Sequence, residues 1–550
     1  MTIPSDYSFS TTSMAYATLR LWALVQVADD HHTEEVQVHG ADAGLEKVLT
    51  LWCKNTGRQI TFVRGQGTNK DESQIRTTSS QIKRTLPSSI SGLGYLALQY
   101  FRYFTWHRHR LSSKTADDPA LTVVDYFSNL DVEAAQKGTY TSNYWGPLAP
   151  IFTQTGKTVN WIHIDVRSAV LPNVRSARAA IRGLNRGKSC SRHVLLQDYL
   201  TLRVAFKASA QYLRIRRITK QIATRIPWVD TVSGLDVSSL VRSRLHSDFQ
   251  GMGAATNALW LSLFEEAFPP RPANDSCLYL MENQPWELAL LHARIIQGEG
   301  PNVGVAHVTV RNWDLRYALG SAGVITENGE TLPAPSRVAV IDPASEAVMI
   351  DNGLEPTAIV KVESLRFLSL TSVAAADSNN RAHAFTSQRV LVLGEYDELL
   401  CAKQLEFLTE LLTLLRGRYA FTFRPSPASQ ILERTLPDGV SPSEGLSLGA
   451  DLARCDVVLC GNVSSAPLNA SWRGIPILMA RDGRGLNGSL LIAGPSVTYV
   501  NSAAEVIAAL EELKSSGKPR NLEQRNPMYL DSGLTRWRLL LDSLFGHEST

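Results

Sequence analysis

Two side chains of the expected first domain suit proton-transfer chemistry. Glu282 and His307 follow the apolar runs 277–281 and 303–306, which read as buried parallel strands. Each is therefore expected at the carboxyl edge of a sheet, where α/β proteins bind ligands. A carboxylate and an imidazole together suit acid–base catalysis or stabilisation of charge developing on a transferred group, against the alternative that His307 is a hydrogen-bonded strand end and Glu282 a helix cap. Asp125 and Asp248 are weaker carboxylate candidates. In the second half, three strand-end loops suit an anion: Gly394-Glu395, Arg424-Pro425-Ser426-Pro427 and Gly461-Asn462-Val463-Ser464-Ser465. Hydroxyls beside the unpaired first-turn N–H groups of a helix make a phosphate site, and simple capping by Ser464 is the competing reading.

The elements that must position these residues alternate. The runs 389–393, 419–423, 456–460, 475–479 and 497–500 read as strands, with helices over 402–415 and 503–513, and the pattern predicts a doubly wound α/β domain over about 385–515. The expected first domain repeats the theme with strand-like runs at 59–63, 159–165, 277–281 and 303–306. Pro285 sits where a helix over 286–296 would begin. Leu195, Tyr199, Leu202, Phe206 and Leu213 predict the apolar face of a helix. The segments 337–341 and 358–361 are expected to open the second domain, and 526–545 to form a terminal helix. The expected domains are 1–335, 336–525 and the terminal 526–550.

A chain of 550 residues exceeds what one hydrophobic core supports, and 44% hydrophobic with 19% charged residues excludes a disordered or integral membrane protein. The net charge of +3 hides a local excess: residues 167–225 hold 14 basic residues and the single acid Asp198, so this stretch is +13 and the remainder −10. An anionic membrane surface is the expected partner of this basic segment. Nucleic acid is not expected, because no RRM, zinc-finger or homeodomain pattern accompanies the charge. The six cysteines form no CxxC pair, so neither structural zinc nor a disulfide framework is expected. The expected location is cytoplasmic, peripheral at the inner face of the membrane.

The order strand-Gly-Glu, strand-Arg-Pro-x-Pro, strand-Gly-Asn-x-Ser-Ser resembles the donor domain of GT-B glycosyltransferases, in particular bacterial enzymes using CMP-activated sugars such as sialyl- and Kdo-transferases. Glu282-Asn283-Gln284-Pro285-Trp286-Glu287, Trp313-Asp314-Leu315-Arg316-Tyr317 and Val362-Glu363-Ser364-Leu365-Arg366-Phe367 are similar to strings in predicted surface-carbohydrate biosynthesis proteins. The resemblance implies a fold of two Rossmann-like domains facing a cleft, with the basic helical segment inserted in the first. It implies transfer of an acidic CMP-activated sugar, Kdo or a nonulosonic acid, onto a glycan or lipid-linked glycan acceptor, with no cofactor or metal. Gly394, Glu395, Arg424, Ser426, Asn462, Ser464 and Ser465 would hold the nucleotide. Ser426 stands where the related motif has His, and Ala306 where it has Gln. A sugar-nucleotide epimerase and a nonenzymatic binding protein are the rival readings.

Overall fold

The computed structural model describes residues 14–39, 43–63, 88–104, 121–127, 130–142, 144–168, 170–187, 191–225, 228–230, 233–268, 275–298, 300–311, 314–317, 332–368, 389–395, 398–415, 417–426, 436–444, 447–461, 464–481, 488–491, 493–494, 496–516 and 528–545. Its strands are β1 (Glu35–His39), β2 (Gln59–Val63), β3 (Leu121–Tyr126), β4 (Val159–Ile164), β5 (Ser191–Leu195), β6 (Ser276–Leu280), β7 (Asn302–Val305), β8 (Arg337–Val340), β9 (Ile359–Lys361), β10 (Arg389–Leu393), β11 (Ala420–Arg424), β12 (Val440–Pro442), β13 (Val457–Gly461), β14 (Ile477–Ala480) and β15 (Val497–Val500). β1 and β2 form a small parallel pair. The other strands build a seven-stranded sheet of order β5-β4-β3-β6-β7-β8-β9 and a six-stranded sheet of order β12-β11-β10-β13-β14-β15.

Counted from its own first strand, each sheet runs 3-2-1-4-5-6, with a seventh strand added at the edge of the larger one. This is the doubly wound order, and its topological switch points lie between β3 and β6 and between β10 and β13. The α/β expectation and its two Rossmann-like halves therefore hold. By contact density the chain divides into two compact units, one of Met1–Val305, Ala322–Arg337 and Leu544–Glu548, the other of Ala306–Ser321, Val338–Ser543 and Ser549–Thr550.

In the six-stranded sheet, apolar residues cover both faces, as continuous apolar runs require. Val390, Val392 and Leu459 pack with Leu408 and Leu411 of the helix Glu398–Leu415 and with Leu510 of the helix Ala503–Ser516. Leu391, Leu393, Val458 and Cys460, one residue out of phase, pack with Leu452, Leu468 and Trp472 on the other side. The period of two along each strand sorts the two layers.

Three local expectations differ from the structure. The segments 337–341 and 358–361 fall, from Val338 on, in the second compact unit, but both are strands, where a strand and a helix are expected, and as β8 and β9 they join the seven-stranded sheet. Leu195 and Tyr199 are not helical, because Leu195 closes β5 and Tyr199 ends a 3-10 turn, and the helix Leu202–Arg225 begins after them. Its apolar stripe is not the packed one: Val204, Ala208 and Tyr212 are buried, whereas Leu202, Phe206 and Leu213 are exposed.

Candidate functional site

At the switch point of the six-stranded sheet, β10 ends in Gly394-Glu395 and β13 in Gly461. The Gly394 N–H donates to the Arg424 carbonyl at 2.9 Å, and a Cβ at Gly394 would lie 2.8 Å from the Phe423 ring. Only glycine lets β10 pass this close to β11. Glu395 is buried; its N–H donates to the Gln404 side-chain oxygen at 3.1 Å, and the Gln404 amide returns a bond to the Leu393 carbonyl at 2.9 Å. Its carboxyl group occupies the space where a Gly461 side chain would stand. Burial and the adjacent Glu395 both push the Cys460 thiol well up, so it packs as a neutral apolar group.

Arg424 closes β11. Its guanidinium donates to Asp451 and, at 3.4 Å, to the Ser443 hydroxyl, which itself donates to Asp451 at 2.7 Å. Asp451 lies in the first turn of the helix Leu448–Arg454, behind the N-cap Ser447. The guanidinium is thus oriented and already charge-balanced, an aligned donor rather than a bare cation. Ser426 follows two residues later, half-buried. Ser464 and Ser465 are half-buried beyond β13, and the Ser464 hydroxyl accepts from the Ala466 N–H at 3.3 Å. The next helix is Pro467–Trp472 with Ala466 at its N-cap, so neither serine caps it. The structure brings Gly394, Glu395, Arg424, Ser426, Ser464 and Ser465 to the carboxyl ends of three adjacent strands; Asn462 lies outside the described residues.

In the seven-stranded sheet, β6 leads through Glu282-Asn283-Gln284 into the helix Pro285–Gln297. Here sequence reasoning missed the principal residue. The buried carboxyl group of Glu287 accepts from the N–H groups of Glu282, Asn283 and Gln284 at 2.9, 3.0 and 2.9 Å. Burial pushes its pKa up to about 8, against the opposing pull of these N–H donors. Glu282 does not cap the helix; Gln284 is the N-cap and Glu287 its capping-box partner. The Gln-x-x-Glu spacing was the available signal. Asn283 adopts φ 53, a left-handed conformation that asparagine tolerates. The loop is pinned from below, and Glu282, half-buried, is carried on it. Nearby, the Trp286 indole donates to the Tyr126 hydroxyl at 2.6 Å across the switch point.

Asp125 is not at an open edge. It lies within β3, 1% exposed, with His163 Nδ1 at 2.7 Å from one oxygen and the Tyr140 hydroxyl donating to the other at 3.1 Å. His163 Nε2 continues to His193 Nδ1 at 3.0 Å, so a buried Asp–His–His chain crosses β3, β4 and β5. Asp248 belongs to the helix Ser238–Gln250, and its side chain lies outside the described residues. Trp145 packs edge-on against Trp161 in the core.

His307 follows β7, and burial first, then Arg366 and Arg316, lowers its pKa to about 3. It is a neutral imidazole at neutral pH, able to orient a partner through hydrogen bonds but not to supply positive charge or to hold a second proton. Arg316 is itself held by Asp314 through bonds of 2.8 and 2.6 Å. Arg366 lies in the 3-10 turn Leu365–Phe367, just after Glu363. Glu363, fully buried, accepts from the N–H groups of Arg536 and Trp537 at 3.0 and 3.1 Å, at the start of the helix Thr535–Leu544.

Among the described residues, no group of three or more His, Cys, Asp or Glu is placed to hold a metal ion. No family model matches the chain, and no curated protein matches it. Among solved structures, the chain is similar to the UDP-GlcNAc 2-epimerase from Methanocaldococcus jannaschii, with 10% identity, a TM-score of 0.41, and coverage of 78% of this chain and 100% of that one. It is also similar to the calicheamicin glycosyltransferase CalG4, with 14% identity, a TM-score of 0.41, and coverage of 79% and 100%. Likeness at this level carries no argument about chemistry, which rests on the residues of the site.

Proposed function

We propose that the chain is a GT-B-type nucleotide-sugar enzyme, a glycosyltransferase that moves an acidic CMP-activated sugar of the Kdo or nonulosonic type onto a surface-glycan precursor. The observation that carries this reading is the convergence of Gly394-Glu395, Arg424 and Ser464-Ser465 on the carboxyl edge at the switch point of a 3-2-1-4-5-6 sheet. The glycines make room for the Phe423 ring and the Glu395 carboxyl at the strand ends, and the serine hydroxyls and the fixed Arg424 fork are suited to phosphate oxygens. The buried Glu395 carboxyl is suited to accept from nucleoside hydroxyls. The reading calls for no resident metal.

In this reading Glu282 takes the proton of the acceptor hydroxyl as that oxygen bonds to the anomeric carbon and the bond from this carbon to the phosphate oxygen breaks, CMP leaving with the electron pair; the pinned loop fixes the direction of Glu282. His307 is neutral in this reading, so positive charge beside it comes from Arg366 and Arg316. Calorimetry with CMP, CDP, UDP and GDP tests the donor class: CMP should bind best, and Ser464→Ala with Ser465→Ala should weaken it about tenfold, the loss of one or two hydrogen bonds. Absence of binding by all four would end the reading. A nucleotide-sugar converted without acceptor would make the protein an epimerase instead.

A further inference from the structure

The helices Ser88–Tyr103 and Leu202–Arg225 cross where Gly92 meets the Tyr212 hydroxyl, leaving no room for a side chain at residue 92. Tyr212 also donates to the Gln250 carbonyl at 2.7 Å, which fixes the pair. Both helices then turn large apolar side chains outward. Phe101 is 73% exposed, Phe206 68% and Leu98 64%, with Ile90, Leu202 and Leu213 also exposed. Arg203, Arg214, Arg217 and Lys220 are exposed among them, while Lys207 is held by Glu265 at 2.7 Å. Neither helix contains an acidic residue.

Isolated exposed apolar residues are ordinary; a set on two packed helices that carry basic and no acidic side chains is an interaction surface. We propose that this helix pair docks onto an anionic lipid bilayer surface, its Phe and Leu side chains entering the acyl boundary and its Arg and Lys facing lipid phosphates. Charge complementarity selects this occupant. A nucleic acid would answer the basic groups but leave Leu98, Phe101 and Leu202 in water. A second copy, meeting the same patch on itself, would set basic against basic. No described helix is long and apolar enough to cross a membrane, and the basic amphipathic pattern is that of an element lying in the interface. The inference does not depend on the sugar chemistry proposed above.

Co-sedimentation of the full chain with vesicles of phosphatidylcholine, alone or mixed with phosphatidylglycerol, tests it. Binding should require the anionic lipid and weaken with salt. Each basic residue near such a surface is worth about fivefold in partitioning, so changing Arg203, Arg214, Arg217 and Lys220 together to Gln should reduce binding about a hundredfold or more. Phe101→Ser with Phe206→Ser should reduce it about tenfold or more, with melting unchanged because these side chains are already exposed. Equal pelleting with both compositions, none with either, or unaltered binding by both variants would overturn the proposal. So would concentration-dependent dimers lost in Phe101→Ser/Phe206→Ser, or salt-sensitive nucleic-acid binding, if vesicles were not bound.

Discussion

Glu287 shows how one buried group can set a loop and leave a titration signature. Its pKa rises from 4.5 to about 8 on folding, so the protonated form fits the folded state. The stability it lends is complete below about pH 4.5 and is lost as pH rises through 8. Glu287→Gln should therefore flatten this loss between about pH 4.5 and 8 in denaturant titrations, at the cost of one bond, because its amide nitrogen cannot accept from the N–H that donates to the second carboxyl oxygen. Glu287→Ala leaves three N–H groups unpaired, at about 1–3 kcal/mol each. A Gln variant as unstable as the Ala variant at neutral pH would show that the ionised carboxylate holds the loop. His307 and His193 act in the opposite window. Burial first, then Arg366 and Arg316 around His307 and His163 beside His193, lowers both below 6.5. Their contribution is complete above about 6.5 and lost as pH falls, for His307 toward about 3. His307→Gln should reduce the fall in denaturation midpoint between neutral and mildly acid pH; an unchanged slope would refute its burial as a neutral base.

The terminal helix Thr535–Leu544 starts on a carboxylate from distant sequence. Glu363 accepts from Arg536 and Trp537, and the Trp537 indole returns a bond to the Glu363 carbonyl at 2.8 Å. Glu363→Ala should cost about 2–5 kcal/mol, two buried donors left unpaired, and raise hydrogen exchange over 535–544 before the sheets lose protection. Uniform destabilisation would show that the clip is not local. At the end of β13, Gly461→Ala would push its methyl group into the Glu395 carboxyl group. The expected result is a folded protein with CMP binding weakened about tenfold or more, the scale of one misplaced charged hydrogen-bonding group. Adding Glu395→Ala should restore the packing but not the affinity. Full recovery of binding in the double variant would remove Glu395 from the site.

Two sheets of the same winding order give the molecule two switch points, with different chemistry at each. The first offers Tyr126 with Trp286 and the Glu282 loop; the second offers Glu395 against Gly461. If the second is the nucleotide site, CMP at a hundred times its Kd should stabilise the fold by about 2.7 kcal/mol. Hydrogen-exchange protection should then increase at 389–395, 420–424 and 457–461. Protection confined to the strands β3 to β7 would move the nucleotide to the other sheet.

Apolar runs and their stopping residues are local properties, and they made the α/β class, most of the second sheet's strands and the positions of Gly394, Glu395, Arg424, Ser464 and Ser465 legible in the chain. The segments 337–341 and 358–361 were readable as regular structure too, but not the sheet they join, because strand order depends on packing far along the chain. The helix Leu202–Arg225 was readable by its period, which reveals that a stripe is apolar and not whether anything covers it. Val204, Ala208 and Tyr212 won the core because the small residues and Gly92 allow the closer approach. Asp125 acquires His163 across a strand pairing, 38 residues on, and Glu363 acquires Arg536, 173 residues on. Such partners follow from register and from the return of the chain, which long-range burial decides.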